Sequence, residues 1–184
     1  MRKTLKLVLS MLLAGIAVPA AADAEKRQKT VYGLHEHIYI AELGVTLRAK
    51  LDTGATTSSL SAHNIKRFKR DGESWVRFQL AYKDAPVQVF ELPITRVSRI
   101  KRRADDFDPE EEKTYSARPV VSMTVQMGDR QQHIEVNLTD RSAFQYPFLL
   151  GARGLKSFDA MVDPSVRFTA GQPQTSPTQS SRSE

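Results

Sequence analysis

Alternation of apolar and polar residues is the feature that most constrains the fold of this chain. Four segments carry it, at residues 47–51, 76–80, 121–127 and 134–138. Such alternation puts one face of a strand in a core and the other in solvent. The chain has no cysteine, so a hydrophobic core must stabilise it without disulfides or thiolate metal sites. Short strands separated by turn signals predict an all-β domain, either a closed barrel or a sandwich.

Helical periodicity is confined to two short segments. We predict helices at Ser61–Phe68 and Ala152–Asp159. Gly128-Asp129 lies between two alternating segments and predicts a tight hairpin. The apolar phase slips between Val89 and Phe90, which predicts a bulge or bend in that strand.

The two ends of the chain differ in composition from its middle. Residues 1–24 combine a basic start, an apolar run and an alanine-rich Ala-x-Ala stretch, which is typical of a secretory signal peptide. They predict export to the periplasm, with an uncleaved anchor as the alternative. Residues 170–184 are rich in Pro, Ser and Thr and predict a disordered tail. Residues 25–169 are then the single folded domain.

The charge of the chain is moderate. The formal net charge is +6, and the first 24 residues hold three basic and one acidic side chain, which leaves +4 on the remainder. This balance does not require a nucleic-acid partner, and we expect none. Basic runs at residues 66–70 and 96–103 precede an acidic block at residues 105–112. Adjacent opposite runs are typical of a solvated loop, so residues 99–117 predict an excursion from the barrel; the alternative is a polyanion-binding surface.

The segment Ala49–Leu60, AKLDTGATTSSL, places an Asp-Thr-Gly directly after an alternating strand. Gly54 permits backbone angles that other residues resist, so a tight turn can present Asp52 at the strand end. The hydroxyl of Thr53 can lock that turn by a hydrogen bond. By itself the tripeptide is equally compatible with an ordinary turn that carries an exposed aspartate.

Five segments in the same order make the chain similar to the retropepsin-like aspartic proteases. It resembles more closely the bacterial family often labelled "ATP-dependent zinc protease", some of whose members are associated with ATP-grasp ligases. The resemblance covers residues 31–168 and implies a retropepsin-like closed β-barrel with one or two short helices. The segments that carry it are Ala49–Leu60, Ser74–Leu80, Arg118–Val121, Asp140–Gly151 and Val162–Ser165.

The resemblance also implies a mechanism and a set of site residues. Retropepsins carry one Asp-Thr-Gly per chain and complete a pair of aspartates across the two-fold axis of a homodimer. Asp52 is then catalytic: one carboxylate of the pair activates a water while the other donates a proton to the scissile carbonyl. The residues implied to form or support the active-site loop are Thr53, Gly54, Ala55, Leu149, Leu150 and Gly151.

The "zinc" and "ATP" parts of the family label find little support in the residues. His35 and His37 are the only clustered histidines, and on a strand they share a face. No HExxH motif accompanies them, so the start of a surface strand is the better interpretation and we expect no metal site. No GxxxxGK[ST] loop occurs, and we expect no ATP or other cofactor.

The leading hypothesis is an exported aspartic endopeptidase that forms a homodimer and hydrolyses a peptide or protein substrate. A modified protein tail and an envelope component are both candidate substrates, and an envelope protein or an ATP-grasp-linked enzyme is a candidate partner. The alternative is a non-catalytic accessory or binding module of the same fold at the cell envelope. The intact Asp-Thr-Gly favours the enzyme, because a binding module has no need of the carboxylate.

Overall fold

The computed structural model describes residues 28–101 and 115–173, which fold into a β-barrel with a single helix in the described part. The predicted signal peptide, most of the predicted tail and residues 102–114 lie outside the described residues. No helix in the described part is long and apolar enough to cross a membrane. The elements are β1 Thr30–Gly33, β2 His35–Ile40, β3 Val45–Asp52, β4 Ser58–Arg70, β5 Glu73–Leu80, β6 Val89–Lys101, β7 Tyr115–Met127, β8 Arg130–Thr139, β9 Phe148–Gly151, α1 Ala152–Ser157 and β10 Ala160–Asp163.

Eight strands form one sheet in the order β2-β3-β9-β4-β5-β6-β7-β8. The long strands β4 and β7 each pair with three neighbours along their length, and the additional β4–β8 and β2–β7 pairings close the sheet on itself. Strands β1 and β10 form a separate parallel pair. The prediction of an all-β, retropepsin-like closed barrel is therefore confirmed.

The core is built from the alternating segments identified in the sequence. In β3, Leu47, Ala49 and Leu51 are buried while Arg48 between them is exposed. The other three alternating segments bury one face in the same way, which closes the barrel around side chains rather than a channel. The hairpin at Gly128 is also confirmed: Met127 pairs with Arg130, and Gly128 has the left-handed φ of 60° that such a turn requires.

One of the two predicted helices is correct. The segment that begins at Ala152 is helical through Ser157. The helix predicted at Ser61–Phe68 is wrong, because these residues belong to β4 and pair with β5. A register shift between His63 and Lys66, with φ of 52° at Asn64, inserts extra residues into the strand. This bulge spaces the apolar side chains three apart and so imitates a helical period.

The predicted bulge at Val89 and Phe90 is also wrong. Residues 89–93 pair regularly with β5, and the register shift lies between Ile94 and Arg96, where β6 changes partner from β5 to β7. Val89 is 52% exposed and is therefore not a core residue. The strand needs no bulge at this point, because only Phe90 of the two faces the core. The predicted excursion at residues 99–117 is too long, because residues 99–101 pair with residues 115–117 as the ends of β6 and β7.

Candidate active site

Asp52 is the last residue of β3 and leaves the core as the strand ends. Strand β9 runs parallel to β3, so that Leu51 pairs with Leu150 and Asp52 pairs with Gly151. Both leucines are fully buried, whereas the Asp52 side chain is 27% exposed. The register therefore places a carboxylate at the barrel surface directly above a tightly packed apolar layer.

The two oxygens of the Asp52 carboxylate have different surroundings. Oδ1 accepts a hydrogen bond of 3.0 Å from the backbone N–H of Gly54. Oδ2 lies 3.6 Å from the Nζ of Lys50, an exposed ammonium group whose attraction is screened by water. The Ala55 N–H closes the turn on the Asp52 carbonyl at 3.3 Å. The loop thus fixes Oδ1 by a backbone hydrogen bond, whereas Oδ2 faces only the Lys50 ammonium among the described residues.

The segment from β9 into α1 supports this loop from below. The N–H of Ala152 donates to the Ala55 carbonyl at 2.7 Å, and the N–H of Arg153 donates to the Thr56 carbonyl at 3.2 Å. A Cβ on Gly151 would lie 2.6 Å from the carbonyl carbon and oxygen of Thr57, so only glycine fits there. Residues 149–151 therefore lead directly into the contacts with the Asp-Thr-Gly loop, and their role in supporting catalysis stays a prediction.

Two expected features of the tripeptide are absent. Gly54 is not among the described glycines with a positive φ, and an added Cβ would meet only Asp52 Oδ1 at 3.4 Å, an ordinary contact. Thr53 is exposed, and its hydroxyl makes no hydrogen bond within the described residues. The turn is instead held by the backbone N–H of Gly54 and Ala55. Neither Gly54 nor Thr53 is required by the packing of a single chain.

Two half-buried arginines, of which Arg141 interacts electrostatically with Asp52, were not identified as site residues from the sequence. Arg118 lies on β7 and Arg141 lies in the connection between β8 and β9. Burial lowers the pKa of both guanidinium groups; the charge of Arg118 lowers the pKa of Arg141 further, while Asp52 raises it. The Nε of each is buried without a hydrogen-bond partner in the described structure. Both arginines belong to segments that carry the family resemblance. That resemblance was the only feature of the sequence that could have identified them as site residues.

The connection at residues 140–147 is held at both ends by one buried serine. The Ser61 N–H donates to the Pro147 carbonyl at 2.7 Å. Its hydroxyl accepts from the Arg141 N–H at 3.0 Å and donates to the Ala81 carbonyl at 2.6 Å. Phe144, 61% exposed, lies with its ring 4.5 Å from the guanidinium carbon of Arg141. We call residues 140–147 the cleft loop. Because both of its ends are bonded to Ser61, the loop holds Arg141 in a fixed position.

The clustered histidines take part in aromatic packing. His35 stacks on Tyr146 with a centroid distance of 4.1 Å, and His37 stacks on Phe168 at 4.5 Å. The Nδ1 of each is buried among these rings. No group of three or more potential metal-ligating side chains occurs in the part of the chain that the structure describes. These two imidazoles are thus arranged for stacking on aromatic rings.

Comparison with known proteins gives a family and several relatives. A family profile described as "Retropepsin-like aspartic endopeptidase RimB" matches residues 31–173. A protein of Legionella pneumophila, solved by structural genomics and of unknown function, is 35% identical with a TM-score of 0.63, and the match covers 78% of this chain and 99% of that one.

Curated relatives carry a different name. Proteins of Shewanella pealeana and Shewanella halifaxensis, each named "Probable alpha-L-glutamate ligase", are 35% and 36% identical over 148 residues, which is 78% of this chain. The chain spans about 30% of the length of these relatives. The similarity thus concerns one part of larger proteins.

Proposed function

The chain belongs to the RimB-like family of retropepsin-like aspartic endopeptidases, and from this premise we propose that it is an exported peptidase in which Asp52 of two identical chains forms the catalytic pair. The observation that carries the proposal is the Asp52 loop, which places a partly exposed carboxylate at the strand end with one oxygen held by the Gly54 N–H and the other facing the exposed Lys50 ammonium. The chain contains one Asp-Thr-Gly, so a pair requires a second copy.

The chemistry follows from bringing two carboxylates to one axis. Like charges at contact distance do not both ionise readily, so the pair holds one proton. The unprotonated carboxylate takes a proton from a water, whose oxygen attacks the carbonyl carbon of the substrate, while the protonated carboxyl donates to the carbonyl oxygen. Collapse of the tetrahedral intermediate breaks the C–N bond, and the amine leaves with a proton from the pair. The Gly54 N–H keeps each carboxylate in place during this exchange.

Two residues of the loop favour close approach by a second chain. Thr53 is exposed, with a hydroxyl that makes no hydrogen bond within the described residues, and a Cβ on Gly54 would make only an ordinary contact with Asp52 Oδ1. Packing within one chain accounts for neither residue. A facing copy of the same loop, related by a two-fold axis, supplies a partner for both.

The names of the curated relatives favour a class of substrate. They are named as ligases of glutamate, and we propose that this chain cleaves peptides or protein tails that carry glutamate residues. An ATP-grasp ligase is then a natural functional partner, since one enzyme adds what the other removes. In the alternative, the chain is an accessory module that binds the same protein tail but does not cleave it.

The test is a digest of a peptide library enriched in glutamate-containing members. Wild type should cleave a subset of them, and Asp52→Asn should abolish cleavage while it retains the melting temperature of wild type. The matched control is Asp71→Asn, which makes the same chemical change at the exposed tip of the β4–β5 hairpin and should leave cleavage unaltered. Binding without cleavage by wild type would favour the accessory module instead.

A further inference from the structure

We propose that Arg118 and Arg141 form a subsite beside Asp52 that binds a carboxylate of the substrate, and that Phe144 positions Arg141 within it. The inference rests on the proposed function and names the residues that give it specificity. The chemical class of the ligand is a carboxylate, either the side chain of an acidic residue or the free C-terminus of a peptide.

The first observation is that the described residues supply no carboxylate to either arginine although both side chains are half-buried. Some other described arginines do have a carboxylate partner: Arg96 makes a two-pronged contact with Glu135 at 2.7 to 3.2 Å, and Arg77 contacts Glu91 at 2.6 Å. Neither Arg118 nor Arg141 has an ion pair or a side-chain hydrogen bond within the described residues. Half-buried guanidinium groups are costly to keep without an anion, so the pair is arranged for a partner that the described residues do not supply.

The second observation is that the fold brings the two arginines into one region of the sheet. Val120, two residues after Arg118, pairs with Asn137, four residues before Arg141. The electrostatics agree with this placement, because the charge of Arg118 lowers the pKa of Arg141 and that of Asp52 raises it. A bound carboxylate would relieve the repulsion between the two arginines. Planar guanidinium groups bind carboxylates by paired N–H···O bonds that fix orientation as well as position.

The third observation is that both arginines are placed by rigid parts of the fold. Arg118 lies within β7, opposite Ser98 of β6. Arg141 begins the cleft loop, whose two ends are both bonded to the buried Ser61. A subsite ordered before binding loses less entropy when the ligand arrives.

Contact with Arg141 explains why a large aromatic side chain is exposed at position 144. The ring of Phe144 covers the Arg141 guanidinium at 4.5 Å although 61% of the residue is exposed. Stacking restrains the plane of the guanidinium and leaves its N–H edge available to a ligand. Phe144 is thus a positioning residue that acts through Arg141.

The experiment measures peptide binding in the Asp52→Asn protein, so that cleavage does not intervene. Fluorescence anisotropy compares a labelled oligo-glutamate peptide with a matched oligo-glutamine peptide, each with a free and with an amidated C-terminus. Arg118→Gln and Arg141→Gln should each weaken binding of the oligo-glutamate peptide about 10- to 100-fold, the range of a lost charged hydrogen bond. Binding of the amidated oligo-glutamine peptide should not change. A loss confined to peptides with a free C-terminus would identify the terminal carboxylate as the ligand.

Two further variants separate the subsite from general charge and from packing. Arg67→Gln removes an exposed arginine on the β4–β5 hairpin and should leave the preference for glutamate intact. Phe144→Leu should weaken oligo-glutamate binding about two- to five-fold, and Phe144→Tyr should restore it. A purely structural role for Phe144 would lower the melting temperature without changing the ratio of the two affinities.

The outcomes for the subsite and for the proposed function are distinct. If folded Arg118→Gln and Arg141→Gln proteins bind oligo-glutamate as Asp52→Asn alone does, the subsite is refuted even if wild type cleaves peptides. If those variants lose the preference for oligo-glutamate over oligo-glutamine but wild type cleaves no peptide, the subsite is supported and the proposed peptidase activity is refuted.

Discussion

At the scale of single residues, two glycines near Asp52 are glycine for different reasons. A Cβ on Gly151 would collide with the Thr57 backbone at 2.6 Å, whereas a Cβ on Gly54 would meet only a carboxylate oxygen at 3.4 Å. The first restriction belongs to the fold of one chain. The fold of one chain does not require glycine at position 54. A small residue there is expected if a second chain or a substrate packs against the loop.

Alanine at each glycine should separate these two roles. Gly151→Ala should destabilise the domain by about 1–3 kcal/mol, the usual range for overpacking against a fixed backbone. Gly54→Ala should leave the free energy of unfolding nearly unchanged and should abolish cleavage. Thermal melts and peptide cleavage of the two variants, measured side by side, check this. Equal stability losses would mean that Gly54 is also needed by the packing of one chain.

His35 should make the stability of the domain sensitive to acid. Burial, and then the cations Arg167, Lys50 and Arg48, lower its pKa below the ordinary value of 6.5. As pH falls below about 6.5, the unfolded chain binds a proton that the folded chain resists, so stability is lost in that range. His35→Phe keeps a ring against Tyr146 and removes the titration.

The measurement is the fall in melting temperature between about pH 7.5 and pH 5.5. The fall should be smaller in His35→Phe than in wild type. An identical fall in both proteins would show that the acid sensitivity has another source.

At the scale of elements, β9 is the strand that supports the Asp52 loop. It lies between β3 and β4, and all four of its residues are buried. Leu150→Asp places an unpaired carboxylate in this layer, at a cost of several kcal/mol against a total stability of about 5–15 kcal/mol. We expect the variant to be unfolded by circular dichroism, whereas Leu150→Met should fold. A Leu150→Asp protein that melts like wild type would contradict the packing of β9 described above.

The elements also show what the sequence can and cannot predict. Strands whose apolar residues alternate strictly, such as β3 and β8, were predictable because each buries one face. Strand β4 was not, since the bulge between His63 and Lys66 changes its apolar period. The Asp52 loop followed from a motif, whereas Arg118 and Arg141 lie at the two open ends of the β7–β8 hairpin. The placement of these ends near β3 and β9 is a property of the closed barrel and has no local signal in the sequence.

At the scale of the whole molecule, the composition of residues 1–24 predicts the route of the protein in the cell. Their basic start, apolar run and alanine-rich stretch predict cleavage after Ala22 or Ala24. Intact-mass analysis of protein recovered from the periplasm should therefore begin at Asp23 or Glu25. Recovery of the full-length chain from the cytoplasm alone would contradict export.

The central claim is that one active site belongs to two chains. Wild type and Asp52→Asn, mixed in equal amounts and allowed to exchange subunits, should leave only about a quarter of the dimers with two intact aspartates. Mixing with Asp71→Asn serves as the control and should cause no loss beyond dilution. The measurement is the rate of peptide cleavage as a function of the wild-type fraction, at constant total protein. A rate that falls with the square of that fraction is the predicted result, and a rate strictly proportional to it would show that each chain acts alone.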